Sequence, residues 1–188
     1  GGGRGGRALP WCARVRVAAQ MSYALSYLHA RGIIHRDIKP ANVFLDGDFN
    51  AKLGDIGLAA VDSGNTPGCC DEAVGTWPYL APEYKATGRS STKTDVYAFG
   101  LTLLQLITAE EHPKELIRRS QAALEGCGLS SLLDPRAGAW HPGVGERLMK
   151  LALWCAMHDA DARPPIAVVF GDLQRLLRQL QLQGLEPL

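Results

Sequence analysis

The chain has 188 residues, enough for one domain with its own core, and its 46% hydrophobic and 21% charged residues are those of an ordinary globular protein. A formal net charge of +1 excludes bulk attraction to nucleic acid or to an anionic membrane surface. Five cysteines, an odd number with no C-x-x-C pair, argue against a disulfide framework. Reduced thiols in an intracellular protein are expected, and no Cys/His group has the spacing of a zinc site.

Residues 1–7, Gly-Gly-Gly-Arg-Gly-Gly-Arg, are of low complexity. Gly1, Gly3 and Gly6 satisfy G-x-G-x-x-G literally, but no strand flanks them, so a flexible segment is expected over residues 1–9. The chain starts with Gly rather than Met and shows no signal peptide, which reads as the start of a fragment. Residues 10–31 predict a helix: Val17, Met21, Leu25 and Leu28 share one face, with Arg14, Arg16 and Gln20 largely off it. Gly32 suits the position just past its end. Ile33-Ile34 is a short β-type run leading into His35-Arg36-Asp37-Ile38-Lys39-Pro40-Ala41-Asn42.

Val43-Phe44-Leu45 and Ala51-Lys52-Leu53 flank the turn residues Asp46-Gly47-Asp48-Phe49-Asn50, which predicts a hairpin that brings Asn42 and Asp55 together. Residues 55–83 are rich in Gly, Pro, Ser, Thr and Asp without a period, which predicts a long functional loop. Ser91 or Thr92 caps a helix to Thr108 that is apolar nearly all round, as a buried axle would be. Its apolar run, residues 96–107, is too short to span a bilayer. Residues 109–143 are mixed, with a short helix expected over 113–120. Residues 146–157 predict a helix with Leu148, Leu151, Ala152 and Cys155 on one face. Pro164-Pro165 suits the first turn of a last helix lined by Ile166, Val169, Leu173, Leu176 and Leu180, and residues 181–188 are expected to fray.

The stretch from His35 to Asn42 reads H-R-D-x-K-P-x-N; Asp55-Ile56-Gly57 follows, then Ala81-Pro82-Glu83. Taken singly, Asp37 and Asn42 also suit a turn and Asp55 a cap, but the combined order is specific. Further phrases are Tyr27-Leu28-His29, Gly75-Thr76, Thr92-Lys93-Thr94-Asp95-Val96-Tyr97-Ala98-Phe99-Gly100 and Leu151-Ala152-Leu153-Trp154-Cys155. With them the chain resembles, over residues 11–180, the C-terminal lobe of a protein Ser/Thr kinase, closest to plant receptor-like and Pelle-type kinases.

The resemblance implies a mainly α fold: a helical bundle around a buried central helix, a small β-hairpin carrying the catalytic loop, and no N-terminal β lobe. Residues 10–182 would form the lobe and 183–188 a frayed tail. The implied activity is transfer of the ATP γ-phosphate to Ser/Thr hydroxyls of protein substrates. Asp37, Lys39 and Asn42 would be catalytic, with Asp37 the proton acceptor and Lys39 at the γ-phosphate; Thr76 with Lys39 marks a Ser/Thr kinase. Asn42 and Asp55 would hold Mg²⁺, a cation that prefers oxygen ligands, and Phe44 would lie under the adenine of ATP. Asp95 would hydrogen-bond the catalytic-loop backbone, and Glu83 would pair with Arg163 in the core.

Two departures bear on function. Ile56 stands where the family usually has Phe, and the Gly-rich loop, strand lysine and helix glutamate of the N-terminal lobe are missing. The chain alone is therefore expected to bind nucleotide poorly and to be inactive. The alternative function is a truncated kinase-derived fragment acting as a non-catalytic binding or regulatory module. Implied partners are ATP, a protein substrate and an upstream receptor or N-lobe segment, without nucleic acid and without a membrane segment in this chain. The implied location is cytoplasmic, at the inner face of the plasma membrane for a receptor-like kinase. In such kinases the arginine before the catalytic aspartate, here Arg36, binds a phosphorylated activation-segment residue. Asp71 occupies the position of a threonine in many receptor-like relatives, so it either pairs with Arg36 unmodified or is, with Glu72, a solvated carboxylate; Ser63 and Thr66 remain phosphosite candidates.

Overall fold

A computed structural model describes residues 8–62, 72–126 and 128–185. The first helix, α1 (Trp11–His29), starts after Pro10 and stops two residues short of its predicted end, where Gly32 takes up the left-handed region at φ 67°. Strand β1 (Ile33–Ile34) leads to the motif of residues 35–42. Strands β2 (Val43–Leu45) and β3 (Ala51–Leu53) form the expected hairpin, with Val43 opposite Leu53. The Asp46 side chain closes its turn by accepting from Asp48 N at 3.0 Å and Asn50 N at 2.8 Å.

A short strand and a short α-helix, besides the 3₁₀ turn Trp77–Tyr79, lie in or next to the stretch expected to be one long loop. Strand β4 (Ala60–Val61) pairs antiparallel with β1, Ile33 opposite Val61 and Ile34 opposite Ala60. Two residues show no period, so only the partner strand defines them. Helix α2 (Pro82–Thr87) has proline at its first position and Gly88 at φ 68° at its end. Its six residues are likewise too few to register as a period.

Helix α3 (Thr92–Thr108) is the buried axle, and Ser91, not Thr92, caps it. The Ser91 hydroxyl accepts from Lys93 N, and Thr94 Oγ1 accepts from Ser91 N, each at 3.2 Å. Helices α4 (Pro113–Glu125), α5 (Leu129–Leu132), α6 (Val144–Cys155) and α7 (Ile166–Leu182) complete the described α-helices. The α4 helix runs past residue 120 because Ala123 continues the buried face of Leu116 and Ser120. Pro165 is the residue capping α7, one position before its first turn. Gln181 and Leu182 still belong to α7, and Leu185 donates to Leu180 O at 3.0 Å and packs on the core, so fraying does not describe residues 181–185.

The α3 axle packs against α1, α4 and α6, and α7 covers the other side of α1. A Cβ on Gly100 would lie 2.7 Å from Ala152 O and 2.8 Å from Ala156 N, so α3 and α6 approach closely because this residue is glycine. α1 buries Arg14, which the helical period had put off the core face. Its guanidinium donates to Leu9 O and Leu106 O at 2.8 Å and to the Asp134 carboxylate at 2.6 Å. That pairing is what makes a buried charge tolerable. Among the described residues no helix is long and apolar enough to cross a membrane.

Candidate active site

The motif from His35 to Asn42 spans the gap between β1 and β2, and α3 holds it from below. Asp95, in the first turn of α3, accepts from His35 N at 2.7 Å and Arg36 N at 2.9 Å, as expected of it. His29, near the end of α1, adds a third contact through Nε2 at 2.9 Å from Asp95 Oδ2. One buried carboxylate thus ties α1, α3 and the loop together. The tie is needed because Arg36 sits at φ 69°, a conformation that a non-glycine residue adopts at a cost. The buried His35 ring completes the support: Nδ1 accepts from Asp37 N at 3.3 Å, which leaves Nε2 to donate to Gly54 O at 3.1 Å.

The Asp37 carboxylate is the centre of the site. Its Oδ1 accepts from Thr76 N at 3.0 Å and Thr76 Oγ1 at 2.7 Å. Its Oδ2 accepts from Lys39 Nζ at 2.8 Å and Asn42 Nδ2 at 3.0 Å. Lys39 Nζ also donates to Thr76 Oγ1 at 2.6 Å. Burial alone would raise the Asp37 pKa, but the bonds from Lys39, Thr76 and Asn42 outweigh it and hold the carboxyl below its ordinary value. Thr76 reaches the loop because residue 75 is glycine: at φ 116°, a Cβ there would lie 2.4 Å from Arg36 O.

Asn42 is buried and Asp55 exposed, and the hairpin ties Asn42 to the residue before Asp55: Gly54 N donates to Asn42 O at 3.0 Å. Asn42 Nδ2 also donates to Asp37 O at 2.8 Å, so the amide nitrogen is committed to Asp37 and the amide oxygen is left for a cation. Asp55 stands at φ 59°, and among the described residues nothing bonds its carboxylate. Among the described residues no three His, Cys, Asp or Glu side chains gather around a metal position. Two protein oxygens suit Mg²⁺, which keeps water and substrate phosphates as its other ligands. Phe44 is 57% exposed at the hairpin and Ile56 64% exposed on the adjoining turn, so both present apolar surface beside Asp55.

Arg163 is fully buried and forks onto Glu83 at 2.6 and 2.8 Å, while Glu83 is half-buried. Carbonyls of Met157, Lys93 and His158 take its other donors. Arg36 donates through Nε to Leu58 O. The expected partner Asp71, with Ser63 and Thr66, lies outside the described residues. The roles of Thr76 and His29 in holding Asp37 and Asp95 were not legible in the sequence beyond their presence in the quoted phrases, because those contacts span 39 and 66 residues.

The protein kinase domain profile matches residues 7–171 of this chain. Among similar proteins, the probable serine/threonine-protein kinase PBL18 of Arabidopsis thaliana is 36% identical over 184 residues, 92% of this chain and 48% of that protein. The lectin-domain containing receptor kinase VI.4 of the same plant is 34% identical over 183 residues, 92% of this chain and 26% of that protein. Its U-box domain-containing protein 35 is 39% identical over 168 residues, 84% of this chain and 20% of that protein. The chain therefore spans about half or less of the length of these relatives.

Proposed function

Since this chain belongs to the protein kinase domain family, we propose that it is the catalytic lobe of a protein serine/threonine kinase that moves the ATP γ-phosphate to Ser/Thr hydroxyls of protein substrates. The observation that carries the reading is the Asp37 carboxylate held at once by Lys39, Asn42 and Thr76. A carboxylate offers about four acceptor positions, and here all four are taken. A substrate hydroxyl must displace one donor. Lys39 is the one that can leave, because its flexible stem lets the ammonium swing to a γ-phosphoryl oxygen while Asn42 and Thr76 stay bound to the loop. Asp37 then orients the hydroxyl and takes its proton, and Lys39 neutralises charge on the group being transferred. Asn42 Oδ1 and the Asp55 carboxylate would hold Mg²⁺, which supplies charge neutralisation to the phosphates. Phe44 would supply the apolar floor for the adenine. Work at an intracellular site belongs to the same reading, as does a partner lobe with a Gly-rich loop and strand lysine.

A second reading, a kinase-derived binding module without chemistry, draws support from the exposed Phe44 and Ile56 beside Asp55. One assay separates the two. The chain, joined to the N-terminal lobe of a receptor-like relative, is incubated with γ-labelled ATP and a Ser/Thr-rich protein. Label transfer with Mg²⁺ that stops with EDTA is expected. No transfer with the lobe supplied would establish the binding-module reading instead.

A further inference from the structure

We propose that the groove between α6 and α7 docks one amphipathic helix of a partner protein, with apolar residues at i and i+7 and a carboxylate between them that pairs with Arg147. None of the groove's residues belongs to the site around Asp37, so this is a binding function beside the proposed chemistry.

The groove follows from how the two helices are held. The α6 helix packs chiefly on α3, and α7 on α1. Leu148 and Leu151 of α6 and Leu173 and Leu176 of α7 line a chamber of about 430 Å³ between them. A second chamber of about 460 Å³ lies along Leu176, Leu180 and Leu182. Each holds a large apolar residue open to solvent: Trp154, 39% exposed, in the first and Leu182, 89% exposed, in the second. Apolar surface rimmed by polar residues in this way marks a contact with another protein. Leu173 in the first chamber and Leu180 in the second are seven residues apart, ~10.5 Å along the axis at ~1.5 Å per residue. The same spacing separates i and i+7 on a helix laid into a groove.

Arg147 sets the charge that the occupant must bring. Two neighbouring cations are already neutralised within their own helices, Lys150 by Glu146 and Arg175 by Asp172. Arg147 instead reaches from α6 across to α7 and lines both chambers. It donates to Gln179 Oε1 at 2.8 Å and to Asp172 O at 3.4 Å, and among the described residues no carboxylate pairs with it. A helix whose i and i+7 residues fill the two chambers presents i+3 and i+4 to the position between them. A carboxylate there meets a half-buried guanidinium that has only neutral acceptors, the setting in which a charge-assisted bond gains most. A second copy of this chain does not fit, because no described helix exposes large apolar residues seven apart with a carboxylate between them. An anionic bilayer calls for a cluster of cations, and in this groove only Arg147 is uncompensated.

The test uses the 188-residue chain, ¹⁵N-labelled, and dye-labelled alanine-based helical peptides. The probe peptide has leucine at i and i+7 and glutamate at i+3 and i+4. Anisotropy should show saturable binding that is lost when glutamine replaces the leucines and falls about tenfold when lysine replaces the glutamates. The indole N–H signal of Trp154, identified by its loss in Trp154→Phe, should move with the probe peptide. Arg147→Glu should reverse the preference, so that the lysine peptide binds the better of the two. Leu182→Gln changes a side chain already in solvent and should weaken the probe peptide about threefold with the fold intact by circular dichroism. Binding by neither peptide, equal binding of the two, an unmoved Trp154 signal, or unchanged affinity in Leu182→Gln overturns the proposal. So does self-association of the chain that Arg147→Glu abolishes, which would make a second copy the occupant. Binding to phosphatidylserine vesicles that the same substitution abolishes would overturn it in favour of a membrane.

Discussion

Asp37 and Asp55 are the two carboxylates of the proposed reaction, and the protein treats them in opposite ways. Asp37 is buried, with four hydrogen bonds to its oxygens. Asp55 is exposed, in left-handed backbone, with no partner among the described residues. The loop around Asp37 is organised by the chain itself, through Asp95 below and Thr76 above. On the proposed function, the turn around Asp55 would receive its charge partner from Mg²⁺. A group that takes a proton must be aimed beforehand, whereas a metal ligand gains its partner when the metal arrives. Changes near Asp37 should therefore disturb both structure and turnover, and changes at Asp55 should disturb ligand binding, and turnover through it, without disturbing the fold.

The largest expected effect is on chemistry. With the N-terminal lobe supplied, Asp37→Asn should lower turnover about 10²–10⁴-fold, the range for a positioned acid or base. Nucleotide affinity by calorimetry should hardly move. Full turnover in this variant would remove Asp37 from the role.

Next is the frame that holds the loop in place. Arg163→Ala removes the fork to Glu83 and leaves three carbonyls without their donor. Urea unfolding should show a loss of about 3–5 kcal/mol, as for a buried pair cut on one side. A loss under about 1 kcal/mol would mean that the pair behaves as a solvated one. Asp95→Asn keeps one acceptor oxygen but turns an amide N–H₂ towards donors at His35, Arg36 and His29. It should cost about 1–3 kcal/mol and lower turnover with it, because the loop at Arg36 loses its anchor.

Acidity probes the same region more gently. At both Asp37 and Asp134 burial works to raise the carboxyl pKa, but the bonds outweigh it: Lys39, Thr76 and Asn42 at the first, Arg14 and Arg136 at the second. Both folded values thus lie below the unfolded value of about 3.9. Their stabilisation is complete above that value and is lost as pH falls through the folded pKa. Melting temperature should drop on acidification below about pH 4, and Asp134→Asn should flatten that drop. An unchanged acid limb in the variant would contradict the assignment.

The smallest effect on the fold is expected at Asp55. Asp55→Asn should change unfolding free energy by less than about 0.5 kcal/mol, as a surface change does. With the N-terminal lobe supplied it should still abolish Mg²⁺-dependent nucleotide binding. A large loss of stability would show that the contrast with Asp37 is mistaken.

Much of this protein was legible in its residues because the signals were local. The order of the motifs pointed to the kinase family. The apolar surround of residues 92–108 marked the central helix, and the turn residues between β2 and β3 marked the hairpin that joins Asn42 to Asp55. What the sequence could not supply were contacts whose partners are far apart along the chain. β4 exists only by pairing with β1, and Arg14 is buried where Leu106 of α3 and Asp134 meet its guanidinium. Thr76 reaches Asp37 only because Gly75 lets its backbone pass against Arg36. Periodicity reports which face of one element avoids water; it carries no information on what is packed against the opposite face. That was decided by tertiary packing, which also determined that Asp37 is enclosed and Asp55 is left open.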